Sequence, residues 1–253
     1  MTIRQVDDPA ELVELFSPDP VIHLYGLPDL EEPYWSNSRW YRRGDASVGV
    51  VSDGGGGTFG YAMSATAPDA TIALLGEVHQ RMAPHTWVTG PEGLATGMDG
   101  QRALDPKGSH VRMILSELKE PPIRHEVDSL TRADVDAVDE LIATDPGAAF
   151  QRASMLDQGT WHGVWEGDVL VACAGTHVLS ERHGVAAIGG VMTRPTHRGR
   201  GLGAAVTVAV CRAVRGRVSQ IGLNVSAGNR AAMGLYERLG FRPVLTYEEI
   251  ELL

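Results

Sequence analysis

Leu202, Val206, Val210 and Val214 recur every fourth residue, which predicts a helix over Leu202–Arg215 with one apolar stripe. The residues before it, Ala186–Thr193, read as a strand, and those after it, Gln220–Val225, as another. A second helix is expected over Asn229–Leu239, with Ala232, Leu235, Tyr236 and Leu239 on one face and Gly240 suited to the position just past its end. Phe241–Leu253 then closes as an extended strand. Upstream, Thr131 is a candidate N-cap for a helix carrying Val135, Val138, Leu141 and Ile142, and a short helix is expected over Phe150–Asp157. Trp161–Glu166 and Val169–Leu179 read as strands joined by the turn Glu166-Gly167-Asp168. Strands alternating with helices predict an α/β sheet.

The first half carries a weaker pattern. Glu11–Phe16 and Pro68–Arg81 read as helical, the second with proline in its first turn. Val21–Tyr25, Ala46–Val51, Thr58–Ala62, Thr86–Thr89 and His110–Glu117 read as extended. Gly54 to Gly57 lacks the Lys-Ser/Thr of a nucleotide loop and is expected to be a plain connection between strands. Trp35, Trp40 and Tyr41 predict a small core there. The double proline in Lys119-Glu-Pro-Pro-Ile123 breaks regular structure and marks a boundary, giving expected domains at 1–120 and 121–253.

Charge changes at the same boundary. Of the net charge of −10, residues 1–120 carry −8. An acidic chain argues against a nucleic-acid partner. That charge could attract a cationic amine, but solubility explains it as well. An apolar content of 43% suffices for a sizeable core, and no apolar run reaches the length of a membrane span. The first residues turn acidic at once, so a cytoplasmic protein is the default expectation. Cys173 and Cys211 sit in apolar segments and read as small buried hydrophobes, and the nine histidines show no ligand spacing for a metal.

The chemistry concentrates in Arg198-Gly199-Arg200-Gly201-Leu202-Gly203, between the strand and the striped helix. The first amides of a helix have no partner within it, and they sit at the positive end of the dipole. Glycines let that backbone approach an anion, and two arginines add charge, as in a phosphate or diphosphate cradle. From Arg182 to Tyr236 there are eight arginines and no carboxylate. Ordinary solvated arginines on a helix would give the same run.

These motifs, Ile188 to Gly203 and Leu223-Asn-Val-Ser-Ala-Gly-Asn-Arg-Ala-Ala-Met-Gly-Leu-Tyr-Glu-Arg-Leu-Gly-Phe241, in this order, resemble the GNAT superfamily of acetyl-CoA-dependent N-acetyltransferases. The resemblance spans about residues 125 to 252. It implies a mixed, mostly antiparallel central sheet flanked by helices, preceded here by a smaller α/β domain that would be a degenerate half of the same kind. It implies acetyl-CoA as acyl donor and a primary amine of a small molecule or peptide as acceptor. It also implies that backbone groups of Val191, Met192 and Thr193 pair with the pantetheine arm, and that Arg198, Gly199, Arg200, Gly201, Leu202, Gly203 and Ala204 hold the diphosphate. Asn229 and Arg230 would contact the cofactor, although Asn229 is equally a good helix cap. Tyr236 would stand near the sulfur as general acid, with a role in packing as the alternative. Many relatives place an acidic residue on the strand before the glycine turn. Here that strand reads Ala186-Ala187-Ile188-Gly189-Gly190, so the base is open among His177, Glu181, His183, Glu248, Glu249 and a water chain. A non-catalytic acyl-CoA-binding module is the rival reading, and either a monomer or a homodimer is compatible. A dinucleotide site would want an acidic residue roughly 20 positions on, which is missing.

Overall fold

A hairpin, a third antiparallel strand and a crossover through a helix to a parallel strand occur twice along this chain. The computed structural model describes residues 2–52, 57–98, 100–122, 124–145 and 153–253. Gly54–Gly56 of the glycine connection, Ile123 at the expected boundary and residues 150–152 of the expected short helix lie outside the described residues. The chain divides into two compact units, the first made of Met1–Arg112, Val225–Gly228 and Val244–Leu253, the second of Met113–Asn224 and Asn229–Pro243.

In the first unit, β1 (Arg4–Val6), α1 (Ala10–Phe16), β2 (Ser38–Arg43), β3 (Ala46–Ser52) and β4 (Thr58–Tyr61) lead to α2 (Pro68–Val78), β5 (Trp87–Gly90) and β6 (Leu104–Leu115). β1 to β4 pair antiparallel, whereas β4 and β5 run parallel, with Gly60 opposite Val88. A parallel pair needs a crossover, and α2 supplies it. Leu74, Leu75 and Val78 of α2 are fully buried with Val48 and Val88. β1 and β2 were not foreseen, because their arginine-rich residues carry little apolar signal.

Val21–Tyr25 is not the expected strand. The amides of Ile22 and His23 both donate to the Asp19 carbonyl, at 3.0 and 3.1 Å, and Leu27 donates to His23 at 3.0 Å. Pro18 and Pro20 bracket Asp19 and favour turns, so local bonding overrides the extended preference of Val21 and Ile22. The turn delivers His23 into the core, stacked on Phe16 at 4.0 Å and hydrogen-bonded to the Tyr61 hydroxyl at 3.0 Å. Of the three residues expected to form one small core, Trp40 packs against Phe16 and Tyr61, Tyr41 joins Leu74, Leu75 and Val88 instead, and Trp35 stays half-buried in a short 3-10 turn.

The second unit follows the same order. After β7 (Asp128–Ser129) come a 3-10 turn with a Thr131–Asp134 capping box, α3 (Val135–Ile142), α4 (Ala153–Leu156), β8 (His162–Glu166), β9 (Val169–Ser180) and β10 (Val185–Thr193). Then come α5 (Leu202–Val214), β11 (Gln220–Ser226), α6 (Arg230–Arg238) and β12 (Phe241–Leu252). β7 to β10 pair antiparallel and β10 runs parallel to β11, with α5 as the crossover. The predicted stripe of α5 is buried at all four positions. Cys173 and Cys211 are buried and free. Gly240 has φ +97° just past α6, and a side chain there would strike the Glu117 carbonyl. β12 leaves this unit partway: Val244–Leu253 counts with the first, where Glu248–Glu251 pair antiparallel with β5. Each unit is thus a mixed, mostly antiparallel sheet with flanking helices.

Burial pulls the His23 pKa down to about 3. Its unfolded value lies near 6.5, so below about that pH the unfolded chain binds a proton that the folded chain refuses. Its contribution is complete above pH 6.5 and is lost as pH falls toward 3. Urea unfolding between pH 6.5 and 4 should therefore show stability falling with pH, and His23→Gln should flatten that slope by up to about 1.4 kcal/mol per pH unit.

Candidate active site

Everything in the second unit's site follows from where β10 stops pairing. β10 matches β11 from Val185↔Gln220 to Ile188↔Leu223 and no further, although β10 continues to Thr193 and β11 to Ser226. On its other side β10 stays with β9, but one extra residue enters between Gly189↔Gly175 and Met192↔Cys173. Gly190 adopts φ +58° at this bulge, a conformation that a side chain resists. The Cys173 thiol donates to the Gly190 carbonyl at 3.5 Å. Among the described residues, no strand lies against the β11 side of β10 from Gly189 to Thr193, which includes Val191, Met192 and Thr193.

The strand ends at the glycine turn. Pro195–His197 form a 3-10 turn, Arg198 is extended, and Gly199 and Gly201 take φ +78° and +83°. Gly201 caps α5 in the left-handed conformation, so the helix starts without a side-chain cap. Among the described residues, the amides of Gly199, Arg200, Gly201, Leu202, Gly203 and Ala204 have no recorded acceptor. Leu202 is buried, Gly203 and Ala204 are half-buried, and Gly199 to Gly201 are exposed. These donors at a helix N-terminus fit an anionic diphosphate, which is the fit that acetyl-CoA requires.

The arginines are less free than the sequence implied. Arg198 donates to Asp145 at 2.8 Å and to the Thr193 carbonyl at 3.4 Å. Arg200 lies 3.8 Å from Glu166, whose carboxylate is held below its ordinary range chiefly by a 2.6 Å hydrogen bond to His197. Arg212 pairs with Glu120, and Arg217 with Glu181 at 2.8 Å. The stretch without carboxylates is therefore continuous only along the chain; folding returns countercharges from other segments. Arg230 is exposed and has no recorded partner among the described residues. Asn229 acts as the N-cap of α6, its side-chain oxygen accepting from the Ala232 amide at 3.1 Å.

α5, α6 and the end of β10 converge at Gly203. A Cβ there would lie 3.4 Å from the Leu235 side chain and 3.7 Å from the Thr193 hydroxyl. One position beyond Leu235, Tyr236 is 7% exposed and packs edge-on against Phe241 at 5.9 Å. Burial pushes its pKa up to about 12. Its hydroxyl has no hydrogen bond among the described residues, so the phenol stays protonated with its donor unused.

The candidate bases separate in space. Glu181 and His183 sit in the turn between β9 and β10, at the far end from the splay, and Glu181 is engaged by Arg217. Glu248 and Glu249 belong to the first unit, where Glu248 accepts from the Gly93 amide at 3.0 Å and Glu249 from the Tyr247 hydroxyl at 3.2 Å. Of the named side chains in the second unit, His177 lies at the splay: a Cβ on Gly189 would meet its ring at 2.2–2.4 Å. The paired glycines 189–190 inside a strand were the sequence signal for this close approach.

A donor-rich turn follows the splayed parallel pair, and similarity to known proteins identifies the class of this unit. Residues 127–241 match the family model described as the acetyltransferase (GNAT) family. This segment carries a GNAT-type acetyltransferase domain. Three solved structures share the fold across nearly the whole chain. A Drosophila protein superposes with a TM-score of 0.72 at 18% identity, covering 99% of this chain and 98% of its own. A GNAT-family acetyltransferase from Colwellia psychrerythraea gives 0.58 at 12% identity, covering 100% of both chains. A tandem GNAT protein from the clavulanic acid biosynthesis pathway gives 0.58 at 13% identity, covering 99% of this chain and 98% of its own. A search of curated proteins returns no significant match. No described helix is long and apolar enough to cross a membrane.

Gly201→Asp would strain a left-handed position and set a carboxylate among the anion donors. Its thermal shift with saturating CoA should vanish, whereas the wild-type protein gains about 2.7 kcal/mol at a hundredfold excess over Kd. Gly201→Ala separates the two effects: it should lower Tm slightly yet keep most of the shift.

Proposed function

We propose that the second unit transfers an acetyl group from acetyl-CoA to a primary amine of a small molecule or peptide by direct attack, with Tyr236 protonating the departing sulfur. The observation that carries this reading is the combination of an unpaired β10 edge, a turn of free amides and a protonated, unengaged phenol. Acetyl-CoA supplies an activated thioester carbonyl. Val191, Met192 and Thr193 would hold the pantetheine arm as a strand holds its neighbour, through backbone groups. The amides from Gly199 to Ala204 would receive the diphosphate, with Arg198 and Arg200 turning from Asp145 and Glu166 toward it. Asn229, already used as a cap, keeps its amide nitrogen for the cofactor, and Arg230 is exposed and able to reach phosphate. An amide of Met192 or Thr193 would stabilise the oxyanion. With its pKa raised to about 12, the Tyr236 phenol is protonated at neutral pH and so holds a proton to give when a thiolate forms beside it.

The first unit fits a degenerate half of the same kind. It repeats the strand order and the helical crossover, but between β4 and α2 it has Ala62-Met63-Ser64-Ala65-Thr66-Ala67-Pro68, with neither a glycine turn nor an arginine. Ser64 accepts from the Ala67 amide at 3.0 Å, and Pro68 has no amide hydrogen to offer. Calorimetric titration with CoA should accordingly give one site per chain, and two sites would reject this assignment.

Mass spectrometry of an amine library incubated with acetyl-CoA tests the activity, and a product heavier by one acetyl group identifies the acceptor. With that acceptor, Tyr236→Phe should lower kcat about 10²–10⁴-fold while leaving CoA affinity within about twofold. Binding of CoA without acetylation of any amine would favour a non-catalytic module.

A further inference from the structure

Two rings fill the space where β9 and β10 lack side chains. Gly175 and Gly189 are directly paired, so their missing Cβ atoms would point to the same face. A Cβ on Gly175 would lie 2.2 Å from the Trp161 ring, and one on Gly189 would lie 2.2 Å from Cδ2 and 2.3 Å from Nε2 of His177. Trp161 is fully buried with Val138, Leu141, Leu156 and Met192, which identifies this as the face that α3 and α4 cover. His177 is therefore held with its Nε2 edge over the first residue of β10 that no longer pairs with β11. A side chain projecting from position 189 would occupy that volume; the ring occupies it instead.

We propose that His177 is the group that takes the proton from the attacking amine, supplying from β9 the base that β10 does not carry. The proposal rests on the acetyl-transfer reading above. The amine nitrogen bonds to the acetyl carbon and the carbon–sulfur bond breaks with its electron pair going to sulfur. The amine's surplus proton passes to the imidazole, Tyr236 protonates the sulfur, and solvent restores both groups. Enclosure lowers the His177 pKa to about 4, so the ring is neutral and able to accept at pH 7.

The test compares wild type, His177→Ala and His177→Gln, using acetyl-CoA and a panel of spermidine, tyramine, glycinamide and a lysine-containing peptide. With the acceptor that the wild type acetylates fastest, His177→Ala should lose about 10²–10⁴-fold in kcat. Its KM for acetyl-CoA and the CoA-induced rise in Tm should stay within about twofold and about 1 °C of wild type. Added imidazole should restore part of the rate to the alanine variant, which leaves room for it, and none to the glutamine variant, which does not. Equal kcat in wild type and both variants would overturn the proposal alone. So would a loss that imidazole leaves untouched and that tracks a fallen Tm, since that marks a structural histidine. A CoA-induced shift without turnover of any panel amine by the wild type would defeat the acetyl-transfer reading and this proposal together.

Discussion

The constraint on which this site depends is the obligation of every backbone N–H and C=O to find a partner. β10 meets it on one side through β9 and abandons it on the other after Ile188, where β11 turns away. An unpaired edge inside a folded unit is costly unless water or a ligand completes it. The extra residue at Gly190 keeps β10 attached to β9 while it curves, so the edge stays open without unravelling the sheet. The same strand then delivers the chain into a turn whose amides are also unspent. One strand would thus offer, in the proposed reading, both a ladder for an extended arm and a cap for an anion, in the order in which coenzyme A carries those groups.

The two units show how one sequence of elements diverges in use. Both have a parallel pair bridged by a helix on the core side. In the second unit the helix is capped by Gly201, and its first amides have no acceptor among the described residues; in the first it begins at Pro68, behind a serine that satisfies a nearby amide. Proline at the first turn stabilises a helix start by removing a donor, and the same removal discards an anion-binding group. Local chemistry at a single turn separates the two, while the packing of apolar faces is alike.

Much of the second unit was readable because its signals are local. Four residues at one spacing defined α5, Gly240 marked the end of α6, and the glycine turn lay between them. What escaped was long-range or weakly patterned. β1 and β2 are short and rich in arginine, so the apolar alternation that marks a strand is faint. Val21 and Ile22 favour extended backbone, but Asp19 between two prolines captured the amides of Ile22 and His23. Phe241–Leu252 was recognisable as a strand, yet its second half pairs with β5 from far earlier in the chain, and no local pattern encodes that choice. In the site, Asp145 and Glu166 reach Arg198 and Arg200 only after folding, so a charge count along the sequence overstated the bare positive field. The ring of His177 over Gly189 was likewise hidden, because an absent side chain says that something approaches without saying what.

Cys173, whose thiol rests on the bulge carbonyl, carries a wider implication. In the proposed transfer, a sulfur nucleophile beside an activated thioester would invite acyl migration onto the protein itself. Burial pushes this thiol's pKa up to about 12, so the nucleophilic thiolate is scarcely populated at neutral pH. The bulge thereby gains a compact filler that would remain inert toward the thioester of the proposed reaction.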